Sequence, residues 1–138
     1  MRLFLDTNIL LDIIEDRAEF AEDSSAVLIL AEQLGASLSI AWHGLATTYY
    51  IIRRGRTEAA AMEEVDKILA WAEVAPVDSF SAARARSLQL PDFEDAMQSV
   101  CAENCLADFI ITRNVRDFAS SSIQAISPAD FVVRFASP

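Results

Sequence analysis

The sequence predicts an α/β fold in which a mainly parallel sheet of four to five strands is covered on both faces by helices. Short apolar runs alternate with longer segments of helical periodicity along the whole chain, an alternation typical of parallel sheets. With 138 residues and no internal repeat, low-complexity tract or linker, the chain has the length of one domain. We therefore expect residues 1–138 to form a single domain.

The first half of the chain predicts two strands and four helices. Ile9, Leu10, Ile13 and Ile14 recur at helical spacing after the apolar run RLFL, which indicates a strand followed directly by a helix. Gly35 suits a left-handed helix C-cap and ends the second helix. In order, the predicted elements are a strand at 2–5, helices at 7–14 and 22–35, a strand at 37–40, and helices at 43–54 and 57–73.

The second half continues the same alternation. Asp92 begins a helix that extends to about Asn104, and Ser127 caps a last helix that has Pro128 at its first position, the position where proline is best tolerated. In order, the predicted elements are a strand at 74–77, helices at 79–90 and 92–104, strands at 109–112 and 123–126, and a helix at 127–135.

Composition excludes several classes of protein. The formal net charge is −10, with 21 acidic against 11 basic residues, which taken alone argues against a non-specific nucleic-acid binder. Carboxylates gathered to hold a divalent cation would give the same balance, so net charge leaves this question open. The three glycines, at positions 35, 44 and 55, form no phosphate loop or dinucleotide fingerprint, so nucleotide-cofactor functions are not expected. No apolar run is long enough to span a bilayer, and the N-terminus does not read as a signal peptide. We expect a cytoplasmic protein without a membrane partner.

Acidic residues follow the predicted strands. Asp6 comes directly after the first strand, Asp95 lies at the start of a later helix, and Asp117 lies in the loop after the strand at 109–112. Ligands of parallel sheets bind at the carboxyl ends of the strands, so these three side chains could share one space. Asp6 and Asp92 are also good helix N-caps, with Asp95 at the third helical position of a capping box, and Asp117 could simply be solvated.

Carboxylates gathered in one place repel each other unless a cation neutralises them. A hard divalent cation such as Mg²⁺ or Mn²⁺ binds carboxylate oxygens and keeps positions for water or substrate. That arrangement suits phosphodiester hydrolysis. The acidic pattern therefore indicates either a metal centre at the sheet edge or a set of helix caps.

Three segments, LFLDTNILLDI, DFEDAMQ and IITRNVRDF, together resemble a PIN domain, the nuclease domain of VapC-type toxins from toxin–antitoxin pairs. The segments occur in family order and at family-like spacing. The resemblance implies a three-layer α/β/α fold and a Mg²⁺- or Mn²⁺-dependent endoribonuclease. It also implies a homodimer and a small antitoxin protein as partners.

By motif, the resemblance assigns the acids one by one. Asp6 matches the first acid of the family, Asp95 the acid that opens the late helix, and Asp117, with Asn114 beside it, the final acidic segment. These three aspartates are the expected catalytic residues and metal ligands. Polar positions that support the acids or water are matched by Asn8 and Thr112.

One position departs from the family pattern. Many PIN domains carry a glutamate in the third helix, where this chain reads LATTYY and places Thr47. A branch of the family with TTYY-like and DFEDA segments resembles this chain most. Asp92 is the expected substitute for the missing charge and a further metal ligand, with Thr47 or Thr48 binding a water held by the metal.

Basic and aromatic residues give less specific indications. Arg53 and Arg54 end a helix, where cations favour the helix dipole, and Arg113 and Arg116 form a second small cluster; all four could contact RNA phosphate. Aromatic residues at helical spacing usually pack in a core or an interface, although stacking on RNA bases is also open. Four residues are concerned: Trp42, Tyr49, Tyr50 and Trp71.

The sequence thus leads to two functions. The first is a metal-dependent endoribonuclease, the toxin of a toxin–antitoxin pair, whose products carry 5′-phosphate and 3′-hydroxyl ends. The alternative is a catalytically weak binding module of the same fold that dimerises and binds a partner protein, its acidic pocket receiving an arginine of that partner. Thr47 in place of glutamate is the feature that favours the alternative.

Overall fold

A five-stranded parallel sheet forms the centre of the molecule, and its strands lie in the order β3-β2-β1-β4-β5. The computed structural model describes residues 1–136. Strand β1 is central, so that Leu5 lies between Ile40 of β2 and Ile111 of β4. The strands are β1 (Arg2–Leu5), β2 (Ser37–Ile40), β3 (Glu73–Val74), β4 (Phe109–Ile111) and β5 (Ala125–Ile126).

Helices cover both faces of this sheet, which confirms the predicted three-layer α/β/α architecture. Within residues 1–136 there are seven: α1 (Thr7–Ile14), α2 (Ala21–Gln33), α3 (Trp42–Arg53), α4 (Glu58–Trp71), α5 (Ser79–Ser87), α6 (Phe93–Asn104) and α7 (Pro128–Phe135).

The side chains of β1 alternate between two cores, as the period of two in a strand requires. Leu3 and Leu5 pack with apolar side chains of α1, α2, α4 and α7 on one face. Phe4 packs on the other face with α6, through Cys101 and Ala102. Both cores are buried beneath helices, which explains why every residue of β1 after Arg2 is apolar.

Several element boundaries differ from the predictions by one to three residues, and three of the differences concern strands or loops near the site. Strand β3 ends at Val74 rather than at residue 77, because its partner β2 ends at Ile40, whose carbonyl accepts the last bond of the ladder from the N–H of Ala75 at 2.8 Å. Strand β5 begins at Ala125, since the N–H of Ile123 donates to Ser121 Oγ instead. A short 3₁₀ helix, Val115–Phe118, stands where the sequence predicts a loop.

Helix α3 packs against the start of α1 at Gly44, where a Cβ atom would lie 2.7 Å from Thr7 Oγ1. We expect Gly44→Ala to lower the free energy of unfolding by about 1–3 kcal/mol, because the added methyl overpacks this contact. Gly55 is the matched control: a Cβ there would meet nothing within 4 Å, so Gly55→Ala should stay within about 0.5 kcal/mol of wild type. Urea unfolding of both variants tests this, and equal midpoints would contradict the close contact.

No helix among the described residues is both long and apolar enough to cross a membrane.

Candidate metal centre

Asp6 is buried at the end of β1, in the centre of the sheet's carboxyl edge. Its backbone N–H donates to the Ile111 carbonyl at 3.0 Å and so continues the parallel ladder. Asp6 occupies the N-cap position of α1, yet its side chain makes no capping hydrogen bond. Instead Oδ2 accepts from Thr112 Oγ1 at 2.7 Å and Oδ1 accepts from Gln98 Nε2 at 3.0 Å. The backbone N–H groups of Thr7 and Asn8 lower the pKa of Asp6, but the two hydrogen bonds from Thr112 and Gln98 show that helix capping alone does not account for this carboxylate.

Thr112 connects Asp6 to the loop that follows β4. The threonine side chain is fully buried, and its hydroxyl both donates to Asp6 and accepts from the backbone N–H of Asn114 at 3.0 Å. The carbonyl of Asn114 in turn accepts from the N–H of Asp117 at 2.9 Å, which starts the 3₁₀ helix. The loop that carries Asp117 is thus tied to the first acid by consecutive hydrogen bonds.

The start of α6 brings three acids together. Asp92 is the N-cap: its Oδ1 accepts from the N–H groups of Glu94 at 2.7 Å and Asp95 at 3.4 Å. Asp92, Glu94 and Asp95 can each place one carboxylate oxygen within 4.8 Å of the other two. Asp92 is therefore both a cap and a neighbour of the other acids, so the two sequence-based interpretations of this residue are compatible.

The charges of the acids act on one another, although Asp6 and Asp117 lie outside the group of three whose carboxylate oxygens are within 4.8 Å of one another. Burial raises the pKa of Asp6 to about 6, with a further increase from the charge of Glu94, although the hydrogen bond from Thr112 opposes it. Burial also raises the pKa of Asp95 to about 7, and the charges of Glu94, Asp6, Asp117 and Asp92 add to the effect. Side chains from β1, α6 and the loop after β4 therefore share one negative field, which a bound cation would relieve.

Gln98 and Glu94 belong to this cluster although the sequence analysis did not single them out. Gln98 is fully buried, and its Nε2 lies 2.8 Å from Glu94 Oε1, 2.8 Å from Thr7 Oγ1 and 3.0 Å from Asp6 Oδ1. Glu94 also lies 3.1 Å from His43 Nε2. Their positions could have been noticed from helical spacing, because Glu94 and Gln98 lie on the same face of α6 as Asp95.

Thr47 and Thr48 lie on different sides of α3. Thr47 is exposed one turn after His43, whereas Thr48 is fully buried and its Oγ1 has no hydrogen-bond partner within residues 1–136. Asn8 is half-buried in the first turn of α1. As ligands or supports of a metal centre, these residues remain predictions.

Three of the four arginines assigned to RNA are exposed. Arg53 and Arg54 lie at the end of α3, where Arg53 Nη1 donates to the Arg56 carbonyl at 2.8 Å, and Arg116 lies in the 3₁₀ helix next to Asp117.

Arg113 is engaged inside the protein. Its Nε lies 2.9 Å from Oδ2 of the fully buried Asp12, and its guanidinium lies 4.1 Å from the centre of the Phe20 ring.

The raised pKa of Asp95 predicts a pH dependence for the metal-free protein. The folded-state pKa of about 7 exceeds the ordinary value of 3.8, so the charged carboxylate destabilises the fold. This penalty is absent below pH 4, grows as the pH rises towards 7 and is complete above about pH 8. In the presence of a chelator, we expect Asp95→Asn to gain about 1–2 kcal/mol relative to wild type between pH 4 and pH 8, after allowance for solvent screening.

Chemical denaturation at both pH values measures this gain. Asp66→Asn, at an exposed position on α4, is the control and should show no comparable gain. A difference between wild type and Asp95→Asn that does not change with pH would contradict the assigned pKa.

Comparisons with known proteins agree with this architecture. A protein-family model described as "PIN domain" matches residues 2–116 of the chain. No curated protein matches the chain. Among solved structures, VapBC2 from Rickettsia felis bound to a DNA fragment from its promoter shares the fold with a TM-score of 0.72 at 17% identity, covering 92% of this chain and 98% of that one.

Two further solved structures share the fold at equally low identity. VapBC-1 from nontypeable Haemophilus influenzae gives a TM-score of 0.67 at 15% identity, covering 94% of this chain and 99% of that one. FitAB bound to an IR36 DNA fragment gives 0.64 at 14% identity, covering 91% and 94%. These similarities concern the fold, whereas the match to the family model covers most of the sequence. The chain therefore belongs to the PIN domain family.

Proposed function

We propose that this PIN domain is a Mg²⁺- or Mn²⁺-dependent endoribonuclease and acts as the toxin of a toxin–antitoxin pair. The observation that carries the proposal is the cluster of carboxylates at the carboxyl edge of the sheet, in which the pKa values of Asp6 and Asp95 are raised to about 6 and about 7. RNA as the substrate follows from the resemblance to VapC-type toxins.

The donor set fits a hard divalent cation, because carboxylate oxygens are the ligands that Mg²⁺ and Mn²⁺ prefer. Asp6, Asp95 and Asp117 would hold the ion, together with Asp92. Glu94 is a further candidate ligand, since it belongs to the cluster and can supply the charge that Thr47 lacks. When bound, such an ion supplies a Lewis acid for the phosphate and makes an attached water more acidic.

The residues around the acids would fix their orientation. Thr112 and Gln98 donate to opposite oxygens of Asp6, so the carboxylate cannot rotate without losing a hydrogen bond. Gln98 also donates to Glu94, so one side chain connects Asp6 to the acids of α6 by hydrogen bonds. Such support of metal ligands by hydrogen bonds is important for affinity and activity in metal sites generally. Arg53, Arg54 and Arg116 are proposed to contact RNA phosphate from the rim.

An apolar groove between α3 and α4 supports a protein partner, whether the proposed antitoxin or a second copy of this chain. Trp42 is 64% exposed, Tyr50 68% and Met62 44%, and these residues line a groove of about 320 Å³. Exposed apolar patches of this kind mark interfaces. Light scattering at high concentration tests self-association, and a strict monomer would contradict the dimer.

Cleavage of a 5′-labelled single-stranded RNA by the purified protein tests the proposed activity. We expect cleavage with Mn²⁺ or Mg²⁺, none with excess chelator, and products with 5′-phosphate and 3′-hydroxyl ends. A DNA strand of the same sequence tests the preference for RNA. Absence of cleavage, or cleavage that the chelator does not affect, would contradict the proposal. Absence of cleavage together with tight binding of a partner protein would favour the binding module. The threonine at position 47, where many PIN domains carry a glutamate, is the sequence feature that favours the same alternative.

A further inference from the structure

We propose that an apolar pocket beside the acid cluster binds one nucleobase of the RNA substrate, next to the phosphodiester that is cleaved. The pocket has a volume of about 150 Å³ and is called the base pocket below. This inference rests on the proposed function and adds to it a site that determines how the substrate is positioned. The residues that matter for the argument are Trp42, His43, Ala82, Met97 and Val100.

The base pocket lies at the same edge of the sheet as Asp6. Trp42 and His43 begin α3 directly after β2, Val77 follows β3, and Met97 belongs to α6. Strand β2 lies directly beside β1, so the residues that follow β2 are neighbours of those that follow β1. Adjoining parts of one RNA strand can therefore occupy both places.

One side chain belongs to both the pocket and the surroundings of the acids. His43 lines the base pocket, and its Nε2 lies 3.1 Å from Glu94 Oε1. Glu94 in turn lies within 4.8 Å of Asp92 and Asp95, measured between carboxylate oxygens. A ligand in the pocket would therefore contact a residue that is hydrogen-bonded to the acid cluster.

The chemistry of the pocket fits a base better than any other part of RNA. The pocket is lined almost entirely by apolar atoms, and a cavity of this volume accommodates a single aromatic ring. Trp42 is 64% exposed at its border, and an exposed indole is a stacking surface for a nucleobase. The net charge of −10 repels phosphate, whereas a base is uncharged and can enter without electrostatic cost.

Two neighbouring alanines of α5 provide a matched test of substrate affinity. Ala82 is exposed and lines the pocket, while the adjacent Ala83 is exposed and does not line it. Ala82→Phe should fill the pocket and raise the KM for RNA cleavage about tenfold, the value expected for one lost stacking contact, with little change in kcat. Ala83→Phe should leave KM unchanged. The thermal shift with Mn²⁺ should equal that of wild type in both variants.

Trp42 allows the same pocket to be probed without metal or cleavage. The chain has two tryptophans, so Trp71→Phe leaves Trp42 as the only indole. We expect uridine, which carries no phosphate and has a single-ring base, to quench the emission of this variant more strongly than adenosine, whose base has two rings. Ala82→Phe, but not Ala83→Phe, should remove the quenching.

These outcomes separate the base pocket from the nuclease. Quenching by nucleosides without RNA cleavage would support the base pocket while contradicting the proposed nuclease. Metal-dependent cleavage with equal KM values for Ala82→Phe and Ala83→Phe, and no quenching by either nucleoside, would overturn the base pocket and leave the nuclease intact. Nucleoside quenching that is lost when the protein associates with itself would show that a second copy of the chain occupies the pocket, which would also overturn the inference.

Discussion

Asp95→Asn is expected to abolish metal-dependent RNA cleavage while leaving the metal-free protein at least as stable as wild type. The charge of Asp95 is opposed by burial and by Glu94, Asp6, Asp117 and Asp92, so removing it relieves repulsion. If Asp95 were only a residue of the first helical turn, the same change would instead cost a few tenths to about 1 kcal/mol, with or without metal.

Metal binding should reverse the order of stability. Wild type should gain about 2.7 kcal/mol when the concentration of Mn²⁺ is a hundredfold above Kd, and Asp95→Asn should gain much less because it lacks a ligand. Asp6→Asn should behave in the same way, whereas Asp66→Asn, at an exposed position on α4, should follow wild type. Thermal unfolding with and without Mn²⁺ measures these shifts, and equal shifts in wild type and in both cluster variants would exclude the metal site.

Arg113→Met is expected to cost about 2–4 kcal/mol of stability, the largest loss we predict for a single substitution outside the apolar core. Asp12 is fully buried, and Arg113 is its closest cation at 2.9 Å, with Arg17 at 3.7 Å. Removing one partner of a buried ion pair leaves an uncompensated charge, which is strongly destabilising. The more distant charge of Arg17 and the hydrogen bond that Ser24 Oγ donates to Asp12, at 3.2 Å, compensate the carboxylate only in part.

The double variant Asp12→Asn/Arg113→Met should recover at least half of that loss, because no buried charge remains. Arg116→Ala serves as the control, since Arg116 is exposed and its loss should stay within about 0.5 kcal/mol. If Arg113 instead contacts RNA and contributes little to the fold, Arg113→Met will unfold at the same denaturant concentration as wild type while raising the KM for RNA.

Much of the fold could be predicted because its determinants are local. The apolar run at 2–5, the helical spacing from Ile9 to Ile14 and the cap at Ser127 each depend on neighbouring residues, and the structure confirms these elements. The end of β3 was harder, because it depends on a hydrogen bond between Ala75 and Ile40, which are distant in sequence. Only the paired strands show that β2 ends at Ile40 and gives residues 76 and 77 no partner.

The candidate site was only partly visible in the sequence for the same reason. Aspartates after strands are conspicuous, so Asp6, Asp95 and Asp117 could be proposed, and the charges of Asp6 and Asp117 both raise the pKa of Asp95. Gln98 is 92 residues away from Asp6, and a glutamine in a helix carries no signal of its own.

Arg113 was assigned to RNA because it forms a small basic cluster with Arg116 in the sequence. Its pairing with Asp12 depends on how the loop after β4 passes α1, which no local pattern records.

Anomalous diffraction from crystals of the protein soaked in Mn²⁺ tests the metal centre without relying on activity or stability. We expect an anomalous peak within about 2.4 Å of carboxylate oxygens of Asp6 and Asp95, with Asp117, Asp92 or Glu94 completing the protein ligands. The peak should be absent from crystals of Asp95→Asn soaked in the same way. A saturating soak that leaves no peak at these acids, or places the ion elsewhere on the protein, would contradict the metal centre.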